Sequence, residues 1–128
     1  MNSLMHDAEC VAAKIEAYVL GCQKGDEATL VGAFHPEARM FGSVGGQRLD
    51  MTVVPGMSQA VADKPTVDHE ARIMSIDVCG DAASVKLVES GFWGQDFVDF
   101  FLLSRIDGEW QIVAKAFSHS GESDTTRP

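Results

Sequence analysis

The chain has no run of Lys or Arg, no apolar stretch near the roughly 20 residues that span a bilayer, and no cysteines at CxxC spacing. Each absence excludes a class of function. With 19 acidic against 10 basic side chains the formal charge is −9, so the mean surface field repels phosphate backbones and anionic lipids. Neither nucleic acid nor a membrane is an expected partner. The cysteines, Cys10, Cys22 and Cys79, are odd in number and scattered, which fits small reduced core residues rather than a disulfide framework or a zinc knuckle. The four histidines show no HxH or HxxxH pair, so no metal is expected. P-loop, dinucleotide fingerprint, nucleophile elbow and HExxH motifs are all missing, and no cofactor is implied. Near the start, Asn2, His6, Asp7 and Glu9 stand where a signal peptide carries a basic segment and an apolar one, so the expected location is cytoplasmic.

What is present fits one domain over residues 1–128, with an ordered core at about 4–119. From Ser3 to Lys24, the apolar residues Ala8, Val11, Ile15, Tyr18, Val19 and Cys22 recur at three- and four-residue steps, predicting a helix with one buried stripe. Ser3 is a candidate cap, Asp7 and Glu9 suit the positive end of the dipole, and Gly25 can stop the helix. Asp26 offers a cap for a short second helix to about Ala33, which His35-Pro36 must end. Two strands between Ala38 and Val54 turn at Gly45-Gly46, and a short third helix covers Met57 to Ala62. Four strand-length runs follow, at His69–Val78, Ala82–Phe92, Phe97–Ile106 and Trp110–Ser118. Tight turn signals between them, Gly80-Asp81 and Asp107-Gly108, predict antiparallel neighbours. From Gly121 onward the polar, small composition predicts a disordered tail. Helices followed by long antiparallel strands give an α+β fold, a strongly curved sheet closed over the first helix with a hollow at its open end.

Three strings sharpen this reading: Phe34-His35-Pro36-Glu37-Ala38, Phe97-Val98-Asp99-Phe100-Phe101-Leu102-Leu103, and the closing run from Asp107-Gly108-Glu109-Trp110 to Ala116-Phe117. With the element order, they resemble the NTF2-like superfamily, the cystatin-like cone fold of ketosteroid isomerase, scytalone dehydratase and SnoaL-like cyclases. Within it the likeness is nearest to the "Putative lumazine-binding" family. The resemblance covers residues about 6 to 119 and implies a cone with helices packed in a curved antiparallel (mixed) sheet, a small-molecule pocket and a homodimer formed through the sheet. The fold by itself names no reaction.

The candidate site residues follow from polar groups in apolar company. Alternation on the last strand puts Gln111, Val113, Lys115, Phe117 and His119 on one face and Trp110, Ile112, Ala114, Ala116 and Ser118 on the other. Lys115, between Val113 and Phe117, either reaches a pocket or snorkels to water. Asp99 shares a face with Phe97 and Phe101; it is either a general base with a raised pKa or one half of a structural ion pair with Lys115. His69 and His35 are further proton acceptors, against the plainer reading of loop residues bonded to backbone. Tyr18 lies on the buried helix stripe, and the resemblance implies a first-helix tyrosine near the site. Phe34, Met40, Phe97, Phe101 and Phe117 supply an apolar lining that an ordinary core would also need. Gly42 falls near the position where ketosteroid isomerase-like chains carry an aspartate base, so that mechanism does not transfer. Three readings result: a binding protein for a small, flat, aromatic or pterin-like ligand; a cofactor-independent isomerase, dehydratase or cyclase using Asp99 or His69 as base and Tyr18 as donor; or an assembly domain with a filled cone.

Overall fold

The apolar stripe of the first helix dictates the layer beneath it. In the computed structural model, which describes residues 3–124, α1 (Ser3–Lys24) turns Val11, Ile15, Tyr18 and Cys22 inward, all fully buried. Ser3 is already helical, and Asp7 serves α1 through an ion pair with Arg105 at 2.6 Å rather than through the helix start. Asp26 caps α2 (Glu27–Gly32), accepting from the Thr29 backbone N–H at 3.2 Å. α2 crosses α1 at close range, for a Cβ on Gly21 would meet the Leu30 backbone nitrogen at 2.8 Å.

Six strands form one sheet in the order β2-β1-β6-β5-β4-β3. They are β1 (Phe34–Val44), β2 (Gln47–Thr52), β3 (Glu70–Cys79), β4 (Ala82–Phe92), β5 (Gln95–Ile106) and β6 (Glu109–Glu122), with a π-helical turn (Val53–Met57) and the short α3 (Ser58–Val61) between β2 and β3. β1 pairs with β6 in parallel, and every other pairing is antiparallel. The turns at Gly45-Gly46 and Asp107-Gly108 hold positive φ at both residues, the geometry whose twist suits a two-residue hairpin.

Two expectations are corrected. The strings called loop and tail are strand: β1 begins at Phe34, four residues before Ala38, and β6 continues to Glu122, where it pairs with Gln95. The last residues of the expected tail, 125–128, lie outside the described residues. The simple alternation along the last strand also fails. Leu102 pairs with Ala114 and Leu103 with Ile112, so Val113 is an extra residue, a β-bulge. Trp110 and Ile112 therefore share the inner face with Lys115, and all three are buried.

The inner face of the sheet and α1 enclose the core, in which Phe101, Leu87, Val85 and Ile112 are covered. The outer face is less covered: Phe41, Phe100, Leu102 and Met74 are 43%, 53%, 55% and 59% exposed. Ile112, beside the bulge, is the strictest test of the inner packing. Ile112→Ala removes buried methyl groups from a site the bulge keeps from collapsing, and should cost about 2–4 kcal/mol in chemical denaturation.

Candidate functional site

Where α1, the hairpin β1–β2, α3 and strands β4–β6 meet, a cavity of about 240 Å³ remains, lined mostly by hydrocarbon and rings. Met40, Met51 and Met57 give it adaptable walls, and Phe92, Phe97 and Phe117 give it flat ones. Four polar side chains reach it: Tyr18, Glu89 and Lys115 among the buried residues, and Gln95 near the β4–β5 turn.

Glu89 is the residue that sequence reasoning missed, and a signal for it existed. β4 buries Ala83, Val85, Leu87, Glu89 and Gly91 in strict alternation, so the carboxylate belongs to the inward set. It is 1% exposed and doubly held: Tyr18 donates its phenol O–H to Oε2 at 3.0 Å, and His69 Nε2 lies 2.9 Å from Oε1. Burial, aided by the Glu89 charge, pushes the Tyr18 pKa up and keeps the phenol a donor. Burial pushes the His69 pKa down, with Lys115 adding to that shift and Asp99 opposing it. The contact with Glu89 is therefore a hydrogen bond from the Nε2–H of a neutral imidazole, not an ion pair, and Nδ1 is left buried without a partner.

Behind this wall sits Asp99, fully buried, with no partner in hydrogen-bond geometry for either oxygen. Lys115 Nζ is 4.0 Å from Oδ1, too far for a hydrogen bond, and lies over the Tyr18 and Phe117 rings at 5.0 and 5.1 Å from their centres. Burial pushes the Asp99 pKa up to about 9; Lys115 opposes the shift, and the neighbouring Glu89 carboxyl reinforces it. Among the described residues, no three His, Cys, Asp or Glu side chains are grouped to hold a metal ion, and no helix is long and apolar enough to cross a membrane.

Five anticipated residues meet at the cavity: Tyr18, Met40, Phe97, Lys115 and Phe117. The others do not line it. Asp99 and His69 stand one layer back, behind Lys115 and Glu89. Phe34 and Phe101 pack edge-on against Tyr18 at 6.0 and 5.1 Å in the core. His35 Nδ1 accepts the Glu37 backbone N–H at 3.0 Å, which fixes a local bend in β1. At Gly42, an added Cβ would stand 2.5 Å from the Phe117 ring, so no side chain can occupy the place of the absent aspartate while that ring forms the cavity wall.

The mouth is shaped by the two-residue turn after Phe92. Trp93, 46% exposed, lines the cavity with φ at 48°, unusual for a bulky residue, and its indole N–H donates to the Lys64 carbonyl at 3.3 Å. The turn is braced from the end of the chain. Ser123 donates its backbone N–H to the Gly94 carbonyl at 2.8 Å and its hydroxyl to Asp96 Oδ1 at 2.6 Å, while the Gly91 N–H donates to both side chains.

A curved six-stranded mixed sheet folded over a long first helix around such a hollow defines an NTF2-like protein, and solved structures agree. Matching structures include an NTF2-like protein from Shewanella baltica OS155, 25% identical with TM-score 0.84 over 92% of this chain and 97% of that one. Another comes from Methylobacillus flagellatus KT, 26% identical with TM-score 0.84 over 91% and 94%. The chain belongs to the family described as "Putative lumazine-binding", whose model matches residues 6–118. It is also 30% identical over 112 residues to aldolase FrzH of Cladobotryum sp, covering 85% of this chain and 88% of that protein.

A raised carboxyl pKa makes folding hold a proton that the unfolded chain, with Asp near 3.9, releases above pH 4. Asp99 therefore lowers stability progressively as pH rises from about 4 to about 9. Asp99→Asn should be more stable than the parent at pH 8, the difference growing by up to about 1.4 kcal/mol per pH unit and vanishing near pH 4. Urea unfolding at a series of pH values checks this, and a pH-independent difference would contradict it.

Proposed function

We propose that the protein binds a small, flat, largely apolar molecule bearing a carbonyl group, held ring-on-ring in the cavity with its oxygen at Lys115. One observation carries this reading: the cavity is apolar except at its buried end, where an acceptor, Glu89, already bound by the Tyr18 hydroxyl, adjoins one donor, Lys115. Few well-placed polar groups in an apolar hollow orient a ligand, and a volume of about 240 Å³ suits a ligand smaller than most drugs. A ring that carries N–H beside C=O, as pterins and lumazines do, complements that pair, and the family's description agrees with such a ligand.

Thermal-shift screening against pterins, flavins and small aromatic carbonyl acids tests the proposal. A ligand present at 100 times its Kd should add about 2.7 kcal/mol of stability. The gain should disappear in Lys115→Met and shrink in Glu89→Gln. A response that survives both substitutions would place the ligand elsewhere.

A second reading, cofactor-independent enzyme, is favoured by the support given to Glu89. A carboxylate on the cavity wall, oriented by Tyr18 and His69, is suited to removing a proton beside a carbonyl, with the Lys115 ammonium stabilising the oxyanion that forms. Isomerases, dehydratases and cyclases of this fold class would draw on such a step, as would the activity named for FrzH. For any carbonyl ligand found by the screen, deuterium exchange at the adjacent carbon should fall by about 10²–10⁴ in Glu89→Gln.

We further propose a homodimer through the outer face of the sheet. Phe41, Ala116 and Phe100 lie in register across β1, β6 and β5, and Leu102 adjoins them, a row of apolar side chains well suited to a partner copy. Light scattering should report twice the monomer mass, and Phe100→Glu should return the monomer.

A further inference from the structure

We propose that Lys115 condenses reversibly with the aldehyde or ketone group of a ligand in the cavity to form an imine. This rests on the carbonyl-ligand reading above and adds a covalent step to it. The side chain is 6% exposed and forms part of the cavity lining. Among the described residues Nζ has no hydrogen bond, only two ring faces and a carboxyl 4.0 Å away. A structural ion pair would close to about 2.8 Å, whereas Lys115 Nζ stays 4.0 Å from Asp99. Glu89, the other carboxylate nearby, is already bound by Tyr18 and His69. A lysine desolvated in an apolar pocket is a recurrent nucleophile toward carbonyl carbon, and scarcity of water disfavours hydrolysis of the product.

The Asp99 carboxyl, 4.0 Å from the amine, supplies the proton traffic. Toward pH 9, where the Asp99 carboxyl gives up its proton to solvent, Nζ cedes a proton to the Asp99 carboxylate, and the freed lone pair attacks the carbonyl carbon as the C=O π electrons move to oxygen. A proton passes from nitrogen to that oxygen, giving a carbinolamine. Asp99 then protonates the hydroxyl, which leaves as water while the nitrogen lone pair forms the C=N bond. The sum is ammonium plus carbonyl giving protonated imine plus water, with no redox change and with Asp99 restored as a carboxylate facing the new cation. Asp99 stands behind Lys115, outside the cavity lining, and meets the ligand only at the carbinolamine hydroxyl, as its proton donor. Its raised proton affinity makes it a far better acceptor from an ammonium than an ordinary carboxyl. The other titratable groups around the amine are Tyr18 and Cys22 of α1, Glu89 of β4 and His69 before β3.

The test uses the full chain, benzaldehyde as probe and sodium cyanoborohydride to trap the imine, with peptide mapping by mass spectrometry. A thermal-shift measurement with benzaldehyde alone runs beside it. Lys115 should be benzylated about tenfold faster than the more exposed Lys14, Lys24, Lys64 and Lys86, with a rate that climbs toward pH 9. Asp99→Asn should slow labelling of Lys115 about tenfold at pH 9, leaving the other lysines unchanged. Labelling confined to the exposed lysines while benzaldehyde still stabilises the fold would overturn the imine and leave the carbonyl-binding reading standing. No stabilisation and no labelling of Lys115 would remove both.

Discussion

Two carboxyls and one ammonium are shut away from water on the inner face of this sheet, and the structure depends on how that charge is balanced. If both Glu89 and Asp99 were ionised, one negative charge would stand uncompensated in hydrocarbon, at a cost no small domain readily bears. A proton held on Asp99 removes the excess and leaves the Glu89 carboxylate and the Lys115 ammonium as a neutral sum. Each further feature serves that arrangement. Tyr18 and His69 spend their hydrogens on Glu89, and the rings of Tyr18 and Phe117 face the ammonium. Among the described residues, three of the buried polar atoms that remain unbonded, both oxygens of Asp99 and Nδ1 of His69, belong to this cluster.

Much of the fold was legible in the sequence because its signals are local. Helical spacing from Val11 to Cys22, the Asp26 cap and the glycine turns each depend on residues within a few positions of one another. So does the strand count. The errors arose where a distant partner decides. Nothing within Phe34–Ala38 announces a strand until β6 lies alongside, and the strand beyond Ser118 exists because Gln95 and Asp96 face it. The bulge at Val113 breaks the alternation from which faces were assigned, which is why Ile112 and Lys115 turn out to share a side.

The site was legible by half. Tyr18, Lys115 and the rings of Phe97 and Phe117 stood out as residues of awkward polarity or fitting shape, and they do converge. Asp99 drew attention over Glu89 because its aromatic neighbours are conspicuous, whereas Glu89 sits in a plainer strand whose alternation had to be followed to the end. His35 illustrates the reverse error, a titratable group whose chemistry is used up by its own backbone. Membership of the family adds the cone and its hollow, while the particular donors and acceptor at the buried end belong to these residues.

The brace formed by Ser123 gives the end of β6 an unexpected standing. A segment that would ordinarily be treated as dispensable is fastened to the same turn that carries the indole at the rim. Shortening the protein by a handful of residues, or appending an affinity sequence that pulls Ser123 away, would thus alter how wide the entrance stands.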